Sequence, residues 1–308
     1  PAVTRCCYSL KRCACCGCCF DEESASFYLA SEDVEDEDVL AERNACETYA
    51  KRSVAQGRAI DGTDEETGGE AQSAVFLHRV KHAYRAKGKQ RFEGTVAVQD
   101  LSLRIRKKEC FSLLGTNGAG KTTILNMIMR QITVQSGIVE VNGIRVGVAA
   151  NDLFKGMGFC PQQNALLQYH TTKELLMFYA RIRGVPEKEM DEYCEKGMMV
   201  TRLSPFRDTA CGRLSGGNKR KLSLAIAILG NPSLAVLDEP SAGVDPASRK
   251  KLHRLINAVK IRGATIILTT HHMAEAAKLG DRVGIMVQGR LGCIGTPGHL
   301  LAQYSEGY

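Results

Sequence analysis

Residues 110–128 read CFSLLGTNGAGKTTILNMI, and this stretch decides the fold. CFSLL predicts a buried strand, and KTTILNMIMR, residues 121–130, predicts a helix. Between them GTNGAGKT, residues 115–122, matches the pattern G-x-x-x-x-G-K-S/T. A strand, a glycine loop and a helix in that order make a phosphate cradle. Glycines let backbone N–H groups turn toward phosphate oxygens. The helix start adds partial positive charge. Gly115, Asn117, Gly118, Ala119, Gly120 and Thr123 would line the cradle, Lys121 would reach the β- and γ-phosphates, and the Thr122 hydroxyl would bind Mg²⁺.

Working outward, SLAVLDEP, residues 233–240, is a continuous apolar strand that ends in two carboxylates. Asp238 emerges at its carboxyl end, where α/β sites sit, and would hold Mg²⁺. Glu239 would act as general base on the attacking water. Further strands are expected at residues 75–84, 96–105, 136–143, 157–162 and 264–270, and a hairpin over residues 281–295 turning near Gln288 and Gly289. Residues 171–184 have helical spacing and stop at Gly184; residues 249–260 place Leu252, Leu255, Ile256 and Val259 on one helix face. Strands alternating with helices predict an α/β fold with a parallel core covered by helices.

The bulk numbers are those of a globular chain: 308 residues, 44% hydrophobic, 24% charged, formal net charge +7. The charge is unevenly laid out, about +3 over residues 1–20, about −12 over 21–73 and about +16 over 74–308. No run of 18 or more apolar residues is present to span a bilayer as a helix. The chain starts at Pro1 and carries no signal-peptide pattern, which suggests an excerpt of a longer protein. Three regions follow: a cysteine-rich segment at 1–20, an acidic linker at 21–73 expected to be mostly disordered with a short helix near residues 34–41, and a folded domain at 74–308. Seven of 13 cysteines fall between Cys6 and Cys19. Their C-x-x-C spacings lack a separated second pair, so zinc is the weaker reading beside a tail or a lipid-carrying membrane-proximal segment. The other six read as buried thiols.

LSGGN, residues 214–218, raises a second phosphate site in one domain. Together with the cradle and the acidic strand it resembles the signature motif of the ATP-binding cassette (ABC) family. The resemblance covers about residues 75–308. It implies a P-loop NTPase with a mainly parallel core sheet, an antiparallel β subdomain and a helical subdomain carrying the signature. It also implies a head-to-tail cassette pair, in which Ser215, Gly216 and Gly217 bind the γ-phosphate of ATP held by the partner. Tyr84 resembles the aromatic that stacks on adenine, and Gln162 the glutamine that senses Mg²⁺ and the attacking water. Asp245 resembles the aspartate at the dimer seam. His271 resembles the switch histidine, with His272 the alternative.

LSGGNKRKLSLAIA, GFCPQQNALL, LLMFYARIRGV and GRLGCIGTPGHLLAQYSEGY are similar to subfamily A, and DEDVLAER resembles the approach to the second cassette of a full-length member. That implies an ATPase on the cytosolic face of a membrane. It would work with ATP and Mg²⁺, a second cassette and a transmembrane domain, moving a lipid-like cargo, with no nucleic acid partner. A soluble ABC ATPase acting on the ribosome or nucleic acid fits the basic charge, and a regulatory cassette that hardly turns over is a third reading. Lys108, Ser112, Thr116 and His272 depart from the family's usual residues. Lys108 puts its turn geometry in doubt, because Lys accepts positive φ poorly.

Overall fold

The computed structural model describes residues 36–55, 73–85, 94–147, 154 and 156–304. The cysteine cluster at 6–19 lies outside them. The chain divides into two compact units. One is built from the chain up to Lys107, Phe111–Leu153 and Thr270 onward; the other from Lys108–Cys110 and Phe154–Thr269.

The first unit contains α1 (Glu37–Ala55), β1 (Ser73–Arg85), β2 (Gly94–Arg106), most of β3 (Cys110–Gly115), α2 (Lys121–Ile128), β4 (Ser136–Val141) and β5 (Ile144–Arg145). β2-β1-β4-β5 form an antiparallel sheet. β3 is buried at every position, as its apolar run requires. The second unit holds β6 (Met157–Cys160), α3 (Thr172–Ile182), α4 (Glu187–Thr201), α5 (Gly216–Ile228), β7 (Leu234–Asp238), α6 (Pro246–Ile261) and most of β8 (Thr265–Thr270). β6, β7 and β8 pair in parallel. The first unit resumes with α7 (Met273–Leu279), β9 (Arg282–Val287), β10 (Arg290–Gly295) and α8 (Pro297–Tyr304). β9 runs parallel to β3, and β10 folds back on β9 through Gln288 and Gly289.

α3, α4 and α5 share a core of Leu175, Leu176, Met190, Cys194, Met198 and Leu222, with Leu229 just after α5. This is the helical subdomain, and α5 carries the signature. α3 starts on a reciprocal capping box between Thr171 and Glu174 and stops before Gly184, at φ 75°. Its sequence predicted both ends.

The acidic linker is corrected in part. The structure folds Glu37–Ala55 into a 19-residue helix, well beyond the short helix expected. The reason is packing and charge pairing that a linear reading does not see. Val39 and Cys46 are buried. The Tyr49 ring meets Phe76 at 4.8 Å. The Glu42 carboxylate accepts from Arg282 at 2.8 Å and from the Arg104 N–H at 2.7 Å. Asp38 pairs with His299, and Glu47 with Arg79. The acids that looked like a solvated face bind the basic domain that follows them.

Among the described cysteines none is in a disulfide; five are buried and Cys293 is half-buried. Burial pushes the Cys46 thiol up to about 12 and the Cys160 thiol up to about 11. Both stay protonated, as expected of structural thiols.

Lys108 takes φ 64°, so the turn keeps the left-handed backbone that glycine favours despite its side chain. Its N–H donates to Thr265 Oγ1 at 2.9 Å, which holds the strained residue in place. Lys108→Gly should stabilise the chain by about 1 kcal/mol, seen as a higher midpoint in urea with unchanged m. A second expectation concerns Glu140 on β4, whose Oε2 is buried without a hydrogen-bond partner. Burial raises its carboxyl to about 7, against 4.5 for an ordinary glutamate, and Arg145 opposes the rise only in part. The folded state holds this proton more tightly than the unfolded chain. Its contribution is therefore complete below about pH 4.5 and lost as pH rises through about 7. Melting temperature should fall between about pH 4.5 and pH 7.5, and Glu140→Gln should flatten that fall.

Candidate functional site

The first unit carries the phosphate loop. β3 ends at Gly115 and α2 starts at Lys121, so residues 116–120 form the turn between them. Gly120 has φ 100°, and a Cβ there would strike the Ala97 carbonyl oxygen. No side chain fits. The loop is fixed from outside as well. Gly289 N–H donates to the Ala119 carbonyl at 3.0 Å, and Gln99 N–H donates to the Gly289 carbonyl at 2.8 Å. The β9–β10 turn thus ties the loop to β2.

Lys121 is 5% exposed. Its Nζ donates to the Gly115 carbonyl at 2.8 Å and the Thr116 carbonyl at 2.9 Å. The loop thus holds a buried ammonium against its own backbone. Tyr84, on β1, is 43% exposed. Its hydroxyl lies 3.3 Å from Thr123 Oγ1, and its ring meets His82 edge-on at 4.9 Å. The exposed aromatic face stands beside the helix that opens the loop. His271, exposed just after β8, meets His272 at a tilt of 47°, ring centroids 4.0 Å apart. His272 sits at the α7 N-cap, its N–H donating to Thr270 Oγ1 at 3.0 Å.

The second unit gathers the carboxylates. Asp238 is the last residue of β7 and is 2% exposed; Glu239 follows, 7% exposed, at φ 45°. A non-glycine residue in the left-handed region is costly and persists only where its surroundings enforce it. Thr269 on β8 supplies part of that enforcement. Its hydroxyl donates to Asp238 Oδ1 at 2.5 Å, and it accepts from the Glu239 N–H at 2.9 Å. Gln162 Nε2 approaches Glu239 Oε2 at 3.5 Å, a long contact that brings the expected glutamine to the expected base.

The rest of the enforcement comes from Arg220, which the sequence reading missed. Arg220 is 2% exposed on α5. Its Nε donates to the Pro240 carbonyl at 2.9 Å, and its Nη2 to the carbonyls of Asp238 at 2.5 Å and Glu239 at 2.7 Å. Its Nη1 donates to the carbonyls of Pro161 at 2.5 Å and Gln162 at 3.1 Å. One guanidinium thus binds the backbone on both sides of Glu239 and the backbone of Gln162. In sequence it disappears into the basic run NKRK. The signal was there in its place on the helix: positions 220, 223, 224 and 227 share a face, and the other three are buried.

The signature begins α5. Ser215 is the N-cap, its hydroxyl accepting from the Asn218 N–H at 3.3 Å. Ser215 and Gly216 are exposed, and a Cβ on Gly216 would meet nothing within 4 Å. Gly217 lies near Asp245, whose carboxylate caps α6 by accepting from the Ser248 N–H at 2.9 Å. That bond holds the Asp245 carboxyl below its ordinary range. Within each unit the expected residues are thus brought together: Tyr84, Lys121 and Thr123 in the first; Gln162, Asp238 and Glu239, and separately Ser215, Gly217 and Asp245, in the second.

Comparison with known proteins agrees with this geometry. The family model described as ABC transporter matches residues 98–242. The chain carries an ABC transporter ATP-binding domain. It is 42% identical over 213 residues to the phospholipid-transporting ATPase ABCA3 of Rattus norvegicus, covering 69% of this chain and 12% of that protein. It is 39% identical over 242 residues to the retinal-specific phospholipid-transporting ATPase ABCA4 of Homo sapiens, covering 79% and 10%. The glucosylceramide transporter ABCA12 of Mus musculus is 38% identical over 244 residues, covering 79% and 9%. The chain therefore spans about a tenth of the length of these subfamily A relatives.

Among solved structures, an ATP-binding subunit of an ABC transporter aligns with TM-score 0.66 and 25% identity, covering 75% of this chain and 93% of that one. A dimeric ATP-binding cassette bound to ADP and Pi shares the fold with TM-score 0.66 at 23% identity, covering 72% and 98%. The α/β ABC ATPase fold with its antiparallel sheet and signature-bearing helices is the one expected. The domain is of the ABC transporter ATPase family. Among the described residues no helix is long and apolar enough to cross a membrane.

Arg220 positions Glu239, the expected base, through the backbone on both sides of it. Arg220→Lys keeps the charge and loses the fork. ATP turnover should drop by about tenfold or more while the nucleotide Kd, set at the phosphate loop, changes little. Equal losses in binding and turnover would reduce Arg220 to a folding role.

Proposed function

We propose that this cassette is the ATP-driven motor of a transporter that moves a lipid-like substrate, and that it works as one half of a head-to-tail cassette pair. The observation that carries the reading is the signature loop. Ser215, Gly216 and Gly217 begin a helix, with Ser215 and Gly216 open to solvent, and are separate in sequence from a complete phosphate loop. A helix start with an exposed hydroxyl and free backbone N–H groups is an anion site without an anion of its own. A partner's γ-phosphate would fill it, with Asp245 at the seam. The subfamily A relatives, named for phospholipid and glucosylceramide transport, support the lipid-like cargo.

The residue roles follow. The loop from Gly115 to Thr123 cradles the phosphates through its N–H groups, with Lys121 moving from its two carbonyls to phosphate oxygens. Tyr84 offers its exposed ring to adenine. Glu239 accepts a proton from the attacking water as the water oxygen attacks the γ-phosphorus and ADP leaves. Gln162, beside Glu239, orients that water, and His271 contacts the γ-phosphate. Thr122, Gln162 and Asp238 offer hydroxyl, amide and carboxylate oxygens, the hard donors that suit Mg²⁺. The ion would neutralise charge on the β- and γ-phosphates. The cassette would lie on the cytosolic face of a membrane, driving a transmembrane domain, most simply as the second cassette of a full-length protein.

Glu239→Gln should cut hydrolysis by about 10²–10⁴-fold and leave ATP binding intact. With ATP, that variant should change from monomer to dimer in solution mass, and Ser215→Arg should block the change. A normal hydrolysis rate would remove Glu239 as the base. Tight ATP binding without dimerisation would mean that two copies do not pair and that the partner is a different cassette.

A further inference from the structure

Four cations of the second unit surround one cleft that the ATPase reading does not use. The cleft is about 210 Å³ and is lined by Arg202, Lys221, Lys251 and Arg254 over an apolar floor that includes Leu252 and Leu255. Arg202 follows the last turn of α4, Lys221 lies on α5, and Lys251 and Arg254 are one turn apart on α6. Three separate helices therefore aim positive charge at one point. No carboxylate lines the cleft. Among the described residues none of the four cations forms an ion pair, and Lys221 Nζ has only the Asn218 amide oxygen, at 2.9 Å.

Such crowding is unfavourable in the unliganded chain. Burial depresses the Lys221 ammonium below its ordinary range, Lys251 and Arg202 add repulsion, and Asp245 offsets it only in part. Like charges held close without a counter-ion are relieved when an anion enters. Two guanidinium forks and two ammonium groups suit phosphate oxygens.

We propose that this cleft is a second anion site, distinct from the ATP site, and that it takes a small polyphosphorylated group of the inositol phosphate type. The same chemistry could reach it as a free inositol phosphate or as the headgroup of a phosphoinositide in a membrane.

Titration calorimetry with inositol hexakisphosphate, on the 308-residue chain saturated with ADP, tests the site while the phosphate loop is occupied. Saturable binding is expected. Lys251→Glu with Arg254→Glu changes two exposed side chains of α6 and should weaken that binding by about tenfold or more. ADP affinity and melting temperature should stay as in the parent chain. Cosedimentation with phosphatidylcholine vesicles containing a phosphatidylinositol bisphosphate separates the sources. Capture by those vesicles, lost in the double variant, assigns the headgroup; binding to the soluble phosphate alone assigns the free ligand. No binding by the parent chain, equal binding by the double variant, or binding of an acidic peptide in preference to the phosphate would overturn the proposal.

Discussion

The catalytic half of the second unit depends on one buried guanidinium. Arg220 donates to five backbone carbonyls, those of Pro161, Gln162, Asp238, Glu239 and Pro240. Hydrogen bonds to a charged donor are worth about twice neutral ones, and a buried charge left without partners costs several kcal/mol. Segments that meet at Arg220 are therefore fixed together: moving one breaks bonds to the others. The left-handed turn at Glu239 is tolerable because both its neighbours are held this way. Glu239 and the glutamine beside it owe their positions in part to a residue that binds their backbone carbonyls.

The phosphate loop uses a different device. Its conformation is set by the absence of side-chain bulk, with Gly120 pressed against the Ala97 carbonyl, and by backbone bonds from the β9–β10 turn. Lys121 donates to two carbonyls of this frame. Rigid backbone pre-organises the loop, so little reorganisation is needed when an anion arrives. The signature loop is built on the same helix-start electrostatics but is left open.

Charge in this chain does three jobs. In α1 the acids fold a segment onto the basic domain through Glu42, Asp38 and Glu47. In Arg220 a cation organises backbone. Around Arg202, Lys221, Lys251 and Arg254 cations accumulate about a cleft that no acid lines. Net charge alone could not distinguish these, because each depends on which partner the fold brings within reach.

The sequence by itself determined the motifs and their order. The glycine pattern at 115–122, the apolar run ending at Asp238 and Glu239, the capped helix at Thr172–Ile182 and the turn at Gln288 and Gly289 are local. Glycine freedom, strand burial and helix capping are read over a few neighbouring residues. Tertiary structure decided what those neighbours could not. It turned a segment with the composition of a linker into a docked helix, since its stability lies in contacts with β1, Arg104 and Arg282. It also took Arg220 out of a run of basic residues and buried it, because only the meeting of α5 with the backbones of residues 161–162 and 238–240 supplies enough carbonyls to keep a guanidinium from water. Lys108 shows the same division: the sequence put a poor residue at a left-handed turn, and a hydrogen bond to Thr265, more than 150 residues away, holds it there.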